Sequence, residues 1–509
     1  MSIRGKVLSS SLWSVTGTGA TMISSFVVFA LMTRLVRPID FGLVAFAALF
    51  IDTARGLMSG GIPIALIQRK TWDEDAASTA FWMHIGSAFL FVAAVAALAL
   101  PLAGTDSSIS SGSSAPLAAV FVALSASIVI DAVRGIHEAK LRREFGYKQL
   151  AIRTVIASLV SGLAGVALAF AGFGVWALVG NRLISSVLQT AIVIAAVRWR
   201  PKLLFSKAEC AGLFRFGRDM IGALMLAQLN VRIADFAIGF VLGPLALAYF
   251  RVGSRAITFL VQVGITPIQT TSLSAFSRLG EAPSIARAYL RMTRATALVS
   301  FPLFLGAAAV APDFVAVCFG PQWAPSGPIL TALGLVVAPA TLLYFVQPAL
   351  TALGRTKLVL ASNLLTLVLN AVAALATVKF GVVAVAAGQT IRSFVTAPFA
   401  LSILQKAIGL PMVQAMKSVA EPFIAAAAMA AAVLAARLYV FDSLSAPARL
   451  FLCVVLGSAL YACLLLTVGR RQLGEVILEL IPHLPPRARA AAEWVVSKIQ
   501  PPTPAQSLR

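Results

Sequence analysis

Charge is what this sequence lacks. Charged residues are 12% of the 509, about half of the quarter usual in soluble domains. The scarcest are acidic, with 19 Asp and Glu in all. A soluble globular fold is thereby excluded. Three histidines (His84, His137, His483) and four cysteines (Cys210, Cys318, Cys453, Cys463) are scattered along the chain. Without a paired motif the cysteines read as small apolar fillers, not as a disulfide frame or metal site. Ile136-His137-Glu138 lacks the second histidine of a zincin helix, and no G-x-x-x-x-G-K-[ST] loop occurs for an ATP-driven pump. Loops are short too. The longest outward ones, near 104–115 and 313–326, leave no room for the large loop of a polymerase or ligase. No inward loop holds the nucleotide-sugar domain of a glycosyltransferase.

What is present is apolar length. The chain is 59% hydrophobic, with a mean hydropathy of +0.92. Runs of about 20 apolar residues recur throughout, each long enough to cross about 30 Å of hydrocarbon. They are too long and too evenly apolar for barrel strands, so the expected class is an all-α integral membrane protein. Fourteen spans are expected, at 10–36, 41–66, 80–103, 116–137, 151–171, 174–197, 217–242, 245–270, 292–312, 327–350, 358–378, 381–404, 418–440 and 447–468. The first follows Arg4 and Lys6 and exceeds a signal-peptide core in length, so it reads as an uncleaved helix.

The net charge of +22 is not that of a nucleic-acid binder, because the basic residues sit in short segments between spans. With the N-terminus in the cytoplasm, 29 of the 41 Lys and Arg fall on the cytoplasmic side. The opposite side holds Arg37, Lys379 and Arg449, with Arg437 near a helix end. Both termini are therefore expected in the cytoplasm. An apolar stretch with basic residues within 470–500 (Val476, Ile477, Leu480, Trp494, Val495, Val496) reads equally as an interfacial helix or as a disordered tail.

The chain also repeats itself. Leu35-Val36-Arg37-Pro38 resembles Val241-Leu242-Gly243-Pro244, and Gly172-Phe173-Gly174-Val175-Trp176-Ala177-Leu178 resembles Lys379-Phe380-Gly381-Val382-Val383-Ala384-Val385, at offsets of 206 and 207 residues. A six-helix unit used twice in parallel orientation follows. It gives lobes at 1–200 and 201–405, two additional helices at 406–469 and a cytoplasmic tail at 470–509.

A charge near the bilayer centre costs about 2.5–3.5 kcal/mol on insertion scales and marks a bundle interior or wet cavity. Arg55, Arg182, Arg232, Arg251, Arg255 and Arg392 all lie within spans, and Arg134 lies near a span end. Asp52 with Arg55, Asp131 with Arg134, and Arg232 with Asp235 are spaced as i,i+3 pairs, which can partly self-neutralise or glue helices together. Arg251 and Arg255 are like charges on one helix face, while Arg182 and Arg392 have no acidic neighbour in sequence. A cationic cavity accounts for all of them, and arginine suits bidentate contact with phosphate or carboxylate. Gln228, Asn230, Gln262 and Gln269 suit sugar hydroxyls, or equally hydrogen bonds between helices.

Particular stretches look like the Wzx-like polysaccharide flippases and exporters of the multidrug/oligosaccharidyl-lipid/polysaccharide (MOP) superfamily. They are Ser11-Leu12-Trp13-Ser14, Arg34 to Ala45, Ala65-Leu66-Ile67-Gln68-Arg69-Lys70 with Phe81-Trp82, Gly172 to Leu178, and Arg198-Trp199-Arg200-Pro201. The resemblance covers about residues 5–405. It implies a MATE-like MOP fold of two six-helix lobes in the bacterial inner membrane, with no enzymatic step. The implied cargo is an undecaprenyl-diphosphate-linked oligosaccharide, flipped to the periplasmic leaflet by alternating access for lipopolysaccharide, exopolysaccharide or capsule synthesis. A polysaccharide polymerase and a chain-length regulator are the implied partners. No cofactor is implied, and a proton or sodium gradient is the candidate driving force. Alternatives on the same fold are a lipid II flippase and a multidrug antiporter. The antiporter handles mainly cations, which an arginine-rich cavity would repel.

Overall fold

The computed structural model describes residues 19, 21–69, 71–103, 116–467 and 474, leaving aside the side chains of 98–103, 216–221 and 223. The expectations for the first 18 residues, the loop 104–115 and the tail 470–509 lie outside the described residues, position 474 apart. Among the described residues there is no strand. The chain runs α1 (Thr21–Leu35), α2 (Pro38–Gly60), α3 (Ile62–Gln68), α4 (Glu74–Ala103), α5 (Leu117–Arg143), α6 (Tyr147–Phe170), α7 (Val175–Ala196), α8 (Lys207–Val241), α9 (Gly243–Gly264), α10 (Thr266–Leu279) and α11 (Ala282–Ala309). There follow α12 (Ala311–Cys318), α13 (Ser326–Gly334), α14 (Val337–Leu343), α15 (Val346–Ala352), α16 (Thr356–Thr377), α17 (Val382–Ile408), α18 (Met412–Ala435) and α19 (Ala446–Thr467).

Eleven helices among the described residues are long and apolar enough to cross a membrane, or twelve with one bent pair counted as a span. The other two of the fourteen expected spans correspond to α1, which is short as described, and to α9, whose apolarity is lowered by Arg251 and Arg255.

The bent pair is the expected span 327–350, which is not one straight helix: Ser326–Gly334 meets Val337–Ala352 at 47°. The cause is local. Pro339 and Pro348 have no N–H to give the carbonyls of Leu335 and Tyr344, four residues earlier. In lipid such freed carbonyls need another donor. Gln269 Nε2 donates to the Tyr344 carbonyl at 3.3 Å; beside it, where α14 gives way to α15, Tyr289 donates to the Leu342 carbonyl at 2.5 Å.

The chain divides into two compact units, residues 1–252 with 370–385, and residues 253–369 with 386–509. In the first, α2 is the central helix, and most of the span it forms with α3 is buried. It lies antiparallel against α8 and the start of α9. Gly42 meets Pro244, Phe46 meets Gly239, Phe50 meets Phe236, Gly56 meets Gln228 and Gly60 meets Leu224. Phe46, Phe50, Phe121, Phe236 and Phe240 interlock at ring separations of 5.4–6.3 Å. After α7 the chain docks back on the start of α4. Trp82 donates to the Lys202 carbonyl at 2.9 Å, and the Lys202 ammonium, 3.2 Å from Asp75, holds its proton above the usual lysine range.

The second unit is built on α11, packed on α18 around Tyr289, Phe301, Phe304 and Met429. Its two C-terminal helices are fastened by buried Asp313, which accepts from Arg437 at 2.6 Å and from Arg449 at 2.6 and 2.9 Å. Those two arginines are exceptions to the basic-side asymmetry, and the carboxylate explains them. Arg37 likewise pairs with Asp40 at 3.0 Å.

At Gly42 a Cβ would overlap the Pro244 carbonyl, a backbone atom that cannot swing aside. Gly42→Ala is expected to destabilise the protein by about 1–3 kcal/mol and lower its unfolding temperature in detergent. Gly86→Ala, where a Cβ meets nothing within 4 Å, is expected to leave that temperature unchanged or raise it.

Candidate functional site

Three helices of the first unit each carry a polar stripe through an otherwise apolar span. On α5 it is Asp131, Arg134, Glu138 and Arg142, and on α7 Arg182, Ser186 and Gln189, each set at three- or four-residue steps on one face. On α2 it is Asp52 and Arg55, and α8 adds Arg232 and Asp235.

The stripes meet. Arg55 lies 2.7 Å from Asp131 and donates to Ser186 at 2.9 Å. Arg134 bridges Asp131 at 3.2 Å and Glu138 at 3.3 Å, and donates to Gln189 at 3.0 Å. Glu138 also takes Arg153 at 2.6 Å and Arg142 at 2.8 Å. Nearer the Pro38 end, Asp52 is held by Arg182 and by Arg232 at 3.6 Å, while Asp235 pairs with Arg251 at 3.2 Å. The phenylalanine cluster lies on the Pro38 side of this second group. Beside Arg55, Asp131, Arg134, Glu138, Arg142 and Arg153 a cavity of about 510 Å³ opens, within the range of small-ligand sites.

The partners differ from those the spacing suggested. Asp131 and Arg134 do pair along their helix, but Asp52 with Arg55 and Arg232 with Asp235 do not. Each member reaches a facing helix instead, so that one ion pair also takes two helices' polar groups out of the lipid. Arg182 and Arg251, without an acidic neighbour in sequence, obtain Asp52 and Asp235 in this way. Gln228 packs over Gly56, and Asn230 accepts from Asn370, whose Nδ2 is 3.1 Å from the Asn230 carbonyl. Arg255, Gln262 and Arg392 belong to the second unit. There Arg392 lines a separate pocket with Gln269, Tyr344 and Gln347. Glu138 and Arg153 were missed as site residues, although Glu138 stands two turns from Asp131 on the same face.

The first unit's network joins seven arginines to four carboxylates, an excess of three positive charges. Several guanidinium donors stay unused: the Nε atoms of Arg153, Arg182 and Arg232 are buried without a hydrogen-bond partner. Such an arrangement has the chemistry to pair with an anion of several oxygens.

These features define an all-helical, multi-pass membrane protein with a proline-broken span and an arginine-lined cavity. Solved structures share the fold. The lipid II flippase MurJ in its inward closed conformation superposes with a TM-score of 0.68 at 15% identity, covering 90% of this chain and 98% of that one. An inward-facing multidrug resistance MATE transporter of the MOP superfamily gives 0.52 at 16% identity, covering 79% and 94%. The chain belongs to the polysaccharide biosynthesis protein family, whose model matches residues 31–328. Among its relatives is the teichuronic acid biosynthesis protein TuaB of Bacillus subtilis, 26% identical over 91% of this chain and 96% of the relative. The succinoglycan biosynthesis transport protein ExoT of Rhizobium meliloti is 23% identical over 64% of each chain, so under two thirds of that relative is covered. The lipopolysaccharide biosynthesis protein WzxC of Escherichia coli is 24% identical over 66% of this chain and 68% of its own length.

Removing one partner of a buried pair costs far more than trimming an exposed one. Glu138→Gln strands the buried Arg153 and takes from Arg134 one of its two carboxylates, and is expected to cost about 3–5 kcal/mol. Arg142→Ala, at an arginine whose side chain is 52% exposed, is expected to cost about 1 kcal/mol or less. Thermal unfolding of the two purified variants checks the contrast.

Proposed function

We propose that this chain flips undecaprenyl-diphosphate-linked oligosaccharide repeat units from the cytoplasmic to the periplasmic leaflet of the bacterial inner membrane, with both its termini in the cytoplasm. The observation that carries the reading is the first unit's network, with its three surplus positive charges, its unused guanidinium donors and the cavity beside Arg55 and Arg153. A diphosphate is a compact polyanion, and arginine forks match its oxygens two at a time. Arg55, Arg182, Arg232 and Arg251 are the residues assigned to it; Arg255 and Arg392, expected from the sequence as further cations, belong to the second unit. Asp52 and Asp235 hold those forks in place in the resting state, and Gln228, Asn230 and Gln262 serve sugar hydroxyls. The polyprenyl tail stays in lipid, alternating access exposes the head group on the other side, and no covalent bond changes. An ion gradient drives the cycle, and a polymerase with its chain-length regulator receives the product. Relatives named for teichuronic acid, succinoglycan and lipopolysaccharide biosynthesis support a saccharide cargo. The positive excess disfavours a cationic drug as substrate, while a lipid II flippase would differ in cargo alone.

The test is deletion of the gene in its host, followed by analysis of lipid-linked saccharides and surface polysaccharide. The expected result is loss of one polymer with its undecaprenyl-linked repeat unit accumulating. Complementation by wild type is expected, and none by a normally expressed Arg182→Gln/Arg232→Gln double variant. Unchanged polysaccharide with new drug sensitivity would transfer the assignment to the antiporter.

A further inference from the structure

The pocket of the second unit differs from the first unit's network in both charge and lining. It is a cavity of about 260 Å³ at the broken span, lined by Val336, Ala340, Leu343, Tyr344 and Gln347 of that span, by Gln269 of α10 and by Arg392 and Ser393 of α17. Arg392 sits within the α17 span, where a charge is costly. No carboxylate lies within 4.0 Å of it among the described residues. Its Nη2 donates to Ser393 at 2.9 Å, and its Nε is buried without a hydrogen-bond partner. A guanidinium has five N–H donors, so most of this fork is free. Around it are two carboxamides, a phenol ring and a short aliphatic wall.

We infer that this pocket is a subsite for an acidic sugar of the cargo, with Arg392 taking a sugar carboxylate. The inference rests on the proposed saccharide cargo and separates Arg392 from the diphosphate-binding set. Charge matching drives the separation. Where arginines converge with three surplus charges, a polyanion is matched. One uncompensated guanidinium matches a monoanion, and a carboxylate presents two oxygens in the plane that its fork requires. The surroundings fit a pyranose ring. The apolar C–H face lies on Tyr344 and the aliphatic wall, and ring hydroxyls meet the Gln347 and Gln269 side chains. The span break is part of the site: the missing N–H of Pro348 draws Gln269 to the Tyr344 carbonyl, which fixes that side chain at the pocket edge. Arg392 thereby becomes a specificity residue, selecting repeat units that carry a uronic acid or a similar carboxylated sugar.

The test compares methyl β-glucuronide, methyl β-glucoside and inorganic pyrophosphate, each titrated into the full-length protein in lipid nanodiscs. A charge-assisted pair is worth about 1.5–3 kcal/mol, so glucuronide is expected to bind at least about tenfold tighter than glucoside. Arg392→Gln is expected to abolish that preference and leave pyrophosphate affinity unchanged, which also reports that the variant is folded. Arg392→Lys, keeping the charge without the fork, is expected to retain part of the preference. Arg55→Gln is expected to do the opposite of Arg392→Gln, weakening pyrophosphate and sparing glucuronide. Equal binding of the two glycosides, or a preference that survives Arg392→Gln or vanishes in Arg55→Gln, overturns the subsite. Failure of wild type to bind pyrophosphate, with the glucuronide preference intact, counts instead against the diphosphate assignment.

Discussion

A guanidinium inside a hydrocarbon slab has to find an anion, a hydrogen-bond acceptor or water, and much of this structure follows from meeting that demand. The most buried span, α2 with α3, carries Asp52 and Arg55 at its middle, both more than three-quarters buried. Their partners come from other helices: Asp131 on α5, Arg182 on α7 and Arg232 on α8. Each pair therefore records a helix–helix contact as well as a charge balance. Close approach is possible because Gly56 and Gly60 leave room for Gln228 and Leu224 along the same seam. Four carboxylates against seven arginines leave the balance unfinished, and the unfinished part is what an anionic head group would complete.

The second unit applies the same rule to its backbone. Proline breaks the span that would otherwise run straight through 327–350, and side chains from neighbouring helices donate to carbonyls around the break. Gln269 and Tyr289 are held by this duty, and Thr390 adds a donor to the Ala332 carbonyl at 2.7 Å. Irregular backbone at membrane depth persists where protein or a cavity satisfies it. Here the break and the Arg392 pocket coincide. At the other end of this unit Asp313 shows the rule fully met, with both Arg437 and Arg449 paired to a single buried carboxylate.

Much of this could be read from the sequence, for reasons that can be named. Apolar length gave the all-helical membrane class because lipid punishes every alternative. Two turns of the expected repeat share a backbone feature: Gly174 and Gly381 stand at helix starts with φ of 50° and 99°, a conformation that favours glycine. The other match is partial, since Gly243 has φ 85° while Arg37, its counterpart, is extended. The intramembrane arginines flagged themselves by cost alone. Their partners did not, because Asp52 and Arg182 are brought together by packing across 130 positions of chain, whereas spacing sees only one helix. Glu138 could have been found from its register with Asp131, and the broken span from Gly334, Pro339 and Pro348. In both places the overall apolar pattern hid the local signal.

The central claim is that surplus positive charge in the first unit binds and carries a polyanionic lipid head group. Its most direct test is flipping in proteoliposomes of a short polyprenyl-diphosphate saccharide bearing a fluorophore, followed by loss of access to an external quencher. The account predicts protein-dependent flipping that excludes a neutral polyprenyl glycoside and falls about tenfold or more in Arg182→Gln, where charge-assisted contacts are lost. Equal flipping of the neutral lipid, or full activity without the arginine, would contradict it.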